Sequence, residues 1–435
     1  MAQVSNRRST LAFYKETTVC VLPADWDASG VLIEHTAADS ASIQQTFIPD
    51  PTLERRIFSV GGRYNIPGLR NTEMQVGIKL HGTGVTTADG EQVEATYLTD
   101  LLEHCMGAVH LGTTHMVTGG STTVVGLDAV TGIVKGCIIA VQDTTAPTDG
   151  NLGKLHPRRV LDIDAVDPFT VTLSEALPFT PAAGDIAHGA ATAYPLEEAL
   201  EDSVAPEVRT LSWYFNKDRA GTEAIWALMG SVASFEVTGL DRGQLPTLNL
   251  KIMAANFKFG GEDGLANVTW TQTPQGQAQL SMGRDIQFTL GTYNSTALNV
   301  ADINKCGFTV GFERTRVETI TEKTNDFEGL ASYSVKPGPS KFAIGLVPFT
   351  DGQYGELKAR TRKRATLYQP GDGSGAGNGW CSHMPCAQIA STPKRYDVGD
   401  VNGQQLDLQT MEPDDVVSGG DNTDLEKATF LIAIF

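Results

Sequence analysis

No apolar run in this 435-residue sequence approaches the roughly 18 residues that a helix needs to cross a bilayer. The opening stretch, MAQVSNRRSTLAFYKETT, lacks the apolar centre of a secretory signal, so neither membrane insertion nor export by that route is expected. Basic residues are scarce: 33 Lys and Arg stand against 51 Asp and Glu, a net charge of −18. Phosphate affinity comes mainly from Lys and Arg, so a chain this acidic is a poor general binder of nucleic acid. Cysteine is sparse too, and Cys20, Cys105, Cys137, Cys306, Cys381 and Cys386 lie too far apart for a disulfide framework. They read as reduced thiols in a protein assembled in a cytoplasm. Length is not lacking: at about 100–200 residues per domain it allows two to four domains, with a core that needs no metal or disulfide staple.

Catalytic signatures are missing as well. The nearest approach to a phosphate loop, Gly150–Lys154, has the wrong spacing. The glycine-rich Gly371–Gly379 is followed by WCSHMPC where a dinucleotide site needs a helix, so it reads as a flexible loop. Ser374 lies between glycines but in no strand-to-helix elbow. Cys381 and Cys386 flank His383, yet a zinc site wants four converging ligands and the chain offers no second cysteine pair. His110 and His115 are spaced so that a helix would not align them, and Glu103 and His104 read as the solvated side of a helix. Asp162 and Asp164 share a strand face and Asp167 opens a turn, without the glycine and distal glutamate of a calcium loop. No catalytic residue, metal site or cofactor is expected.

Period-2 alternation is what the sequence has in abundance. Met74, Val76, Ile78 and Leu80 alternate with polar or small residues, as do Leu248, Leu250 and Ile252, then Ile286, Phe288 and Leu290, and Phe308, Val310 and Phe312. That is the pattern of strands with one face buried and one wet, so the fold is expected to be mainly β. Trp213 and Trp270 fall on such alternating positions and read as core. Helix is a minority: Ala95–Ala108 places Leu98, Leu101, Leu102, Cys105 and Met106 on one stripe closed by Gly107. Thr222–Met229, closed by Gly230, is a second candidate, and Pro195–Asp202 a short connector.

Between His110 and Pro195 the strands become short, at Thr122–Gly126, Ile133–Gln142, Arg159–Asp164 and Phe169–Ser174, with turn-rich pieces between them. This reads as a small β-barrel or sandwich inserted into its host. Outside it there is an internal echo: Phe58–His81 resembles Phe308–Phe349 in order of strand and hairpin, and Trp226–Met253 resembles Trp380–Met411. The expected organisation is a first β-domain split over residues 1–111 and 196–260, an insert at 112–195, and a second, similar β-domain at 261–435. One basic run, Lys358, Arg360, Arg362, Lys363 and Arg364, alternates as a strand would. It lacks interleaved aromatics for base stacking, so its basic face is expected to meet an acidic neighbouring subunit.

Several segments together resemble the tail tube (major tail) proteins of long-tailed bacteriophages. ERRIFSVGGRYNIPGLRNTEMQVGIKLHGTG resembles that family's long hairpin and following strand, and YLTDLLEHCMGAVH its single helix. ALMGSVASFEVTGLDRGQLPTLNLKIMAANFKFGG resembles the paired strands that complete its β-sandwich, and LEKATFLIAIF the closing strand. The resemblance covers most of the chain except about 112–195. It implies a β-sandwich with one helix and projecting hairpins, stacked in rings into a hollow tube through which DNA leaves the capsid. Duplicated members form pseudo-sixfold rings of three chains, so a trimeric ring is implied here in preference to a hexamer. The insert would sit on the outer surface. Implied partners are further copies of the chain, a tape-measure protein, the tail terminator, and baseplate or distal tail proteins. DNA would be met only in transit through a lumen expected to be acidic, in a virion tail assembled in a bacterial host's cytoplasm.

Hairpins near Ser59–Gly68 and Val317–Gly329 would be the arms that grip neighbours. Arg55, Arg56, Arg63 and Arg70 on one arm and Glu322, Lys323, Asp326 and Glu328 on the other are the expected contact residues. Lys358, Arg360, Arg362 and Arg364 are the expected interface strand. Two other readings compete: a surface-exposed β-sandwich that binds a glycan or receptor, which would need an exposed aromatic platform, and a glycoside hydrolase with paired carboxylates.

Overall fold

The computed structural model describes residues 9–35, 37–38, 42–49, 65–84, 87–145, 153–196, 210–216, 225–241, 244–260, 263–273, 286–311, 313–318, 330–336, 338–347, 352–369, 379–398, 401–413 and 423–435. The chain is mainly β. It begins with β1 (Thr10–Lys15), a one-turn helix α1 (Trp26–Ser29), β2 (Val31–Ile33), β3 (Ala37–Ala38), β4 (Ser42–Pro49) and the long β5 (Asn65–Lys79). Helix α2 (Tyr97–Met106) follows, then β6 (Gly107–Leu111). Thr96 caps α2, exchanging hydrogen bonds with Thr99, and Gly107 ends it at φ 107°. The apolar stripe foreseen for this helix is buried, with Leu98, Leu101 and Met106 all fully enclosed.

A closed six-stranded barrel comes next: β7 (His115–Gly120), β8 (Val124–Leu127), β9 (Ile138–Gln142), β10 (Leu155–Asp164), β11 (Thr170–Leu173) and β12 (Ile186–Gly189), ordered β10-β11-β8-β7-β12-β9. Closure leaves no edge strand to template aggregation. Its core is continuous with residues of the last strand, since Leu431, Ala433 and Phe435 share its apolar cluster.

From β13 (Ala191–Pro195) the chain runs through β14 (Leu211–Asn216), β15 (Ile225–Thr238), β16 (Thr247–Ala254) and β17 (Asn256–Phe259). The helix expected at Thr222–Met229 is instead, from Ile225 onward, strand β15; residues 222–224 lie outside the described set. The reason is burial on both faces: Ile225, Ala227, Leu228 and Met229 are all enclosed, which removes the alternation that marks a half-wet strand. Then come β18 (Gln287–Thr292), β19 (Val300–Ala301), β20 (Ile303–Thr309), β21 (Glu313–Glu318), β22 (Leu330–Lys336) and β23 (Lys341–Leu346). Helix α3 (Gly352–Ala359) precedes β24 (Lys363–Gln369), β25 (Trp380–Ile389), β26 (Lys394–Val398) and β27 (Val401–Thr410). A short helix α4 (Thr423–Lys427) and β28 (Leu431–Ile434) close the chain.

Outside the barrel, one antiparallel pairing order occurs twice. β2 pairs with β1, β1 with β14, β14 with β15, β15 with β16 and β17, β16 with β5, and β5 with β3 and β4. In the same sense β19 pairs with β18, β18 with β24, β24 with β25, β25 with β27 and β28, β27 with β23, and β23 with β20. A helix follows the β4–β5 hairpin in the first set and β23 in the second. The two sets share one apolar core, which runs from Ile78, Leu248 and Phe235 to Phe308, Phe342 and Leu408.

Trp213 is fully buried, as its position implied. Trp270 lies in a loop rather than a strand and rests edge-on against Tyr214, with ring centroids 5.8 Å apart. The Pro195–Asp202 connector is outside the described residues from 197 onward. All six cysteines are buried and none forms a disulfide. Burial pushes the thiols of Cys105 and Cys137 up to about 12, so they are packing groups and not nucleophiles.

Candidate functional site

The two strand sets meet where the end of β15 pairs with β20, at Glu236↔Thr309 and Val237↔Phe308. This joint makes one sheet of both. A single cross-strand row can be followed through it: Ala37, Gly77, Asn249, Glu236, Thr309, Lys341, Gln409 and Gln388. The adjacent row, Ile78, Leu248, Val237, Phe308, Phe342, Leu408 and Ile389, points to the opposite face and is buried throughout. The first four residues of the long row stand in the same strand order as the last four. Thr309 therefore occupies in the second set the place that Ala37 has in the first, and Gln388 the place of Glu236.

That correspondence exposes an asymmetry. Glu236 is covered by Thr309 of the next strand, whereas no described strand lies beyond Gln388 on the matching edge of β25. Likewise no described strand pairs with β3 on its side away from β5. Among the described residues the row thus ends without a further paired strand at both Ala37 and Gln388, the latter lying beside the segment that leads from α3 into β24.

A groove of about 490 Å³ lies over the joint, lined by Glu236, Thr309, Lys341, Asp407 and Gln409 among others. The wet face of the joined sheet carries Glu73, Glu236 and Asp407 against Lys79, Lys251, Lys305 and Lys341. Among the described residues this face is mixed in charge and not acidic, despite the balance of the whole chain.

The basic run is a strand only at its end, at Lys363 and Arg364. Lys358 sits in the last turn of α3, Arg360 follows in a left-handed conformation at φ 52°, and β24 starts only at Lys363. Alternating Lys and Arg is compatible with either geometry, and Glu356, Leu357, Lys358 and Ala359 are good helix formers, which decides it locally. Lys358 and Arg360 are exposed beside the open edge of β25, where Gln388 Nε2 donates to the Arg360 carbonyl at 2.9 Å. Arg362 lies 5.9 Å over the ring of Tyr293. Arg364 is buried within its own chain and is not available to a neighbour: Nη2 meets Glu175 Oε1 at 3.4 Å and donates to the Ser295 carbonyl at 2.7 Å. Arg158 Nε faces the other oxygen of Glu175 at 3.8 Å, and Thr289 donates to it at 3.0 Å. This buried knot joins the barrel to β18 and β24.

Arg55, Arg56 and Arg63, and Glu322, Lys323, Asp326 and Glu328, lie outside the described residues; Arg70 is placed on β5 by its backbone alone. Glycine-rich 370–378 and the segment 146–152 are outside them as well. Of the histidines, His104 is buried, against the expectation of a solvated position, while Glu103 does reach solvent and pairs with Lys15 at 3.4 Å. Asp162 and Asp164 are exposed as expected, and Asp162 is held by Lys135 at 2.6 Å. Burial and three arginines (Arg159, Arg364 and Arg158) keep His383 neutral, well below its ordinary value. No helix among the described residues is long and apolar enough to cross a membrane.

No protein-family model matches this chain, and no curated protein matches it either. Sequence reasoning missed the joint because it depends on two residue pairs from strands about 70 positions apart. The echo between Trp226–Met253 and Trp380–Met411, which become β15–β16 and β25–β27, was the available signal.

Proposed function

We propose that this chain is a structural tail-tube protein of a long-tailed bacteriophage, without enzymatic activity, whose copies join edge to edge into rings that stack into a hollow conduit for DNA. The observation that carries the reading is the row from Ala37 to Gln388 and its two ends, beyond which no described strand pairs. Within the chain, the joint at Glu236↔Thr309 is a worked example of how one strand set meets the next. Repeating it between chains pairs Gln388 of one copy with Ala37 of the following one. Such a head-to-tail contact is heterologous and closes only by forming a ring.

The repeated pairing order supports a duplicated tail-tube domain, and so three chains per pseudo-sixfold ring. Eight strands cross the row in each chain, so three chains bring about 24 strands. At about 4.8 Å per strand they give a circumference near 115 Å and an untilted backbone diameter near 37 Å, wide enough for a double helix. Closure would cover the edges that a sheet this long otherwise exposes. Lys358 and Arg360 would lie at the seam, and the hairpin arms would grip the rings above and below. The barrel would face outward. Tape-measure, terminator and distal tail proteins are the partners such a tube implies. A glycan-binding reading would look for an exposed aromatic platform; among the described residues the five tryptophans are buried or half-buried and Tyr354 is exposed.

The test is negative-stain electron microscopy of the concentrated full-length chain, with class averaging. Hollow rings or tubes with threefold symmetry are the expected result. Solid or open-ended aggregates, or a monomer that also fails to assemble when a tail initiator complex is added, would overturn the reading.

A further inference from the structure

Three groups from separate segments converge at the mouth of the barrel: Asp89 from the loop before α2, His115 at the start of β7, and Asp128 just after β8. One oxygen of each carboxylate and a ring nitrogen of His115 all lie within 4.8 Å of one another. His115 is 2 % exposed, and its Nδ1 is buried with no hydrogen-bond partner. Asp128 Oδ1 stands 3.6 Å from that nitrogen, too far for a hydrogen bond.

The tautomer of His115 is set by its other nitrogen. Nε2 lies 2.7 Å from the Thr131 carbonyl, which can only accept, so Nε2 carries a proton and donates it. In the neutral ring Nδ1 then holds a lone pair aimed at the two carboxylates. A histidine oriented by a backbone carbonyl, with its free nitrogen facing carboxylates, is the arrangement that metal-binding imidazoles use. Without a cation, that buried lone pair faces two negative groups, which is unfavourable.

The carboxylates are held from behind. Asp89 accepts the Met116 amide at 3.1 Å, and the Asp128 amide donates to the Met116 carbonyl at 3.1 Å. Both acids therefore flank the residue next to His115. The loop of Asp89 is fastened further by Gly90 donating to the Thr114 carbonyl at 2.8 Å and by a Thr87–Thr114 hydroxyl contact at 2.6 Å.

We propose that Asp89, His115 and Asp128 bind a divalent first-row metal ion of zinc type, which ties the segment before α2 to the barrel. An imidazole with two carboxylates suits a borderline ion better than magnesium or calcium, which prefer all-oxygen shells. With bonds of about 2.0–2.2 Å at tetrahedral angles, ligand atoms stand about 3.4 Å apart, so a pair at the 4.8 Å limit must close by ~1.4 Å, a side-chain rotation open to two exposed aspartates. Solvent would supply the remaining ligand on the open side. This site is independent of the assembly reading.

The test uses the full-length chain after treatment with a chelator and dialysis. Zinc titration by calorimetry is expected to give one tight site per chain, and zinc should raise the thermal midpoint while millimolar magnesium does not. Asp128→Asn and Asp89→Asn, both exposed and neutral in volume, should each weaken that site at least tenfold and abolish the thermal shift while leaving the metal-free midpoint unchanged. His115→Gln should do the same, with circular dichroism to verify its fold. Failure to bind zinc, or zinc binding that persists undiminished in both aspartate variants, would overturn the proposal.

Discussion

Arg364 and Glu175 meet at 3.4 Å with both side chains withdrawn from water, and this contact bolts the barrel to the strand set beside it. Arg158 shares the same carboxylate, so two guanidinium groups depend on one acid. Replacing only the acid leaves both buried cations without their counter-charge, with carbonyl oxygens as their remaining partners. Glu175→Gln should therefore cost about 3–5 kcal/mol in urea unfolding, the usual penalty for stranding a buried charge. Asp162→Asn, which breaks an exposed pair with Lys135, should cost less than about 1 kcal/mol. Equal losses in the two variants would sink this account of the knot.

Glu16 is a second buried acid, satisfied in a different way. It accepts from the Thr210 hydroxyl at 2.5 Å, the Gly230 amide at 2.7 Å, the Cys20 amide at 3.0 Å and the Ser212 hydroxyl. Gly230 can donate there because its backbone is left-handed, at φ 58°, and a β-carbon would come within 2.5 Å of Cys20 Sγ. Gly230→Ala should thus destabilise by about 1–3 kcal/mol from backbone strain, with the clash added. An alanine variant as stable as the parent would show that this left-handed position within β15 tolerates a side chain.

Acid should loosen the fold well before its carboxylates titrate. Burial pushes the imidazole of His156 down to about 3 and that of His188 down to about 4. In the unfolded chain both return to about 6.5. Between those limits the unfolded state binds protons that the folded state refuses, so stability is complete above about pH 6.5 and falls as the pH drops toward 4 and then 3. Each histidine contributes a slope of about 1.4 kcal/mol per pH unit in that window. His156 makes no hydrogen bond and packs edge-on against Phe179, so His156→Phe should keep stability at pH 7.5 and remove one such slope between pH 6 and 4. Urea midpoints at those pH values check it, and an unchanged slope would refute it.

Much of the fold was legible because alternation and glycine punctuation are local. Leu248, Leu250 and Ile252 had only to repeat every second residue for β16 to be read. The helix at Leu98–Met106 was equally plain from its stripe and its closing glycine. Legibility failed where burial is two-sided, as at Ile225–Met229, and where charge alternation mimicked a strand, as at Lys358–Arg362. It failed most for Asp89, His115 and Asp128, because their convergence depends on barrel closure, which no spacing along the chain records. Arg364 was read as a surface cation for the same reason: its acid, Glu175, is 189 residues away.

The ring proposal predicts a particular covalent bond. If Gln388 of one copy lies opposite Ala37 of the next, as Glu236 lies opposite Thr309 within the chain, their Cα atoms should be about 4.5–5.5 Å apart. That spacing suits a disulfide. The chain carrying Ala37→Cys and Gln388→Cys should, when assembled and mildly oxidised, run on non-reducing gels as closed multiples ending at three chains. Glu236→Cys with Thr309→Cys should instead cross-link within one chain and add no mass, which controls for the geometry of the joint. Each single variant should give no ladder. An internal bond that forms readily while the Ala37–Gln388 pair stays reduced in assembled material would place the contact between copies elsewhere on the surface.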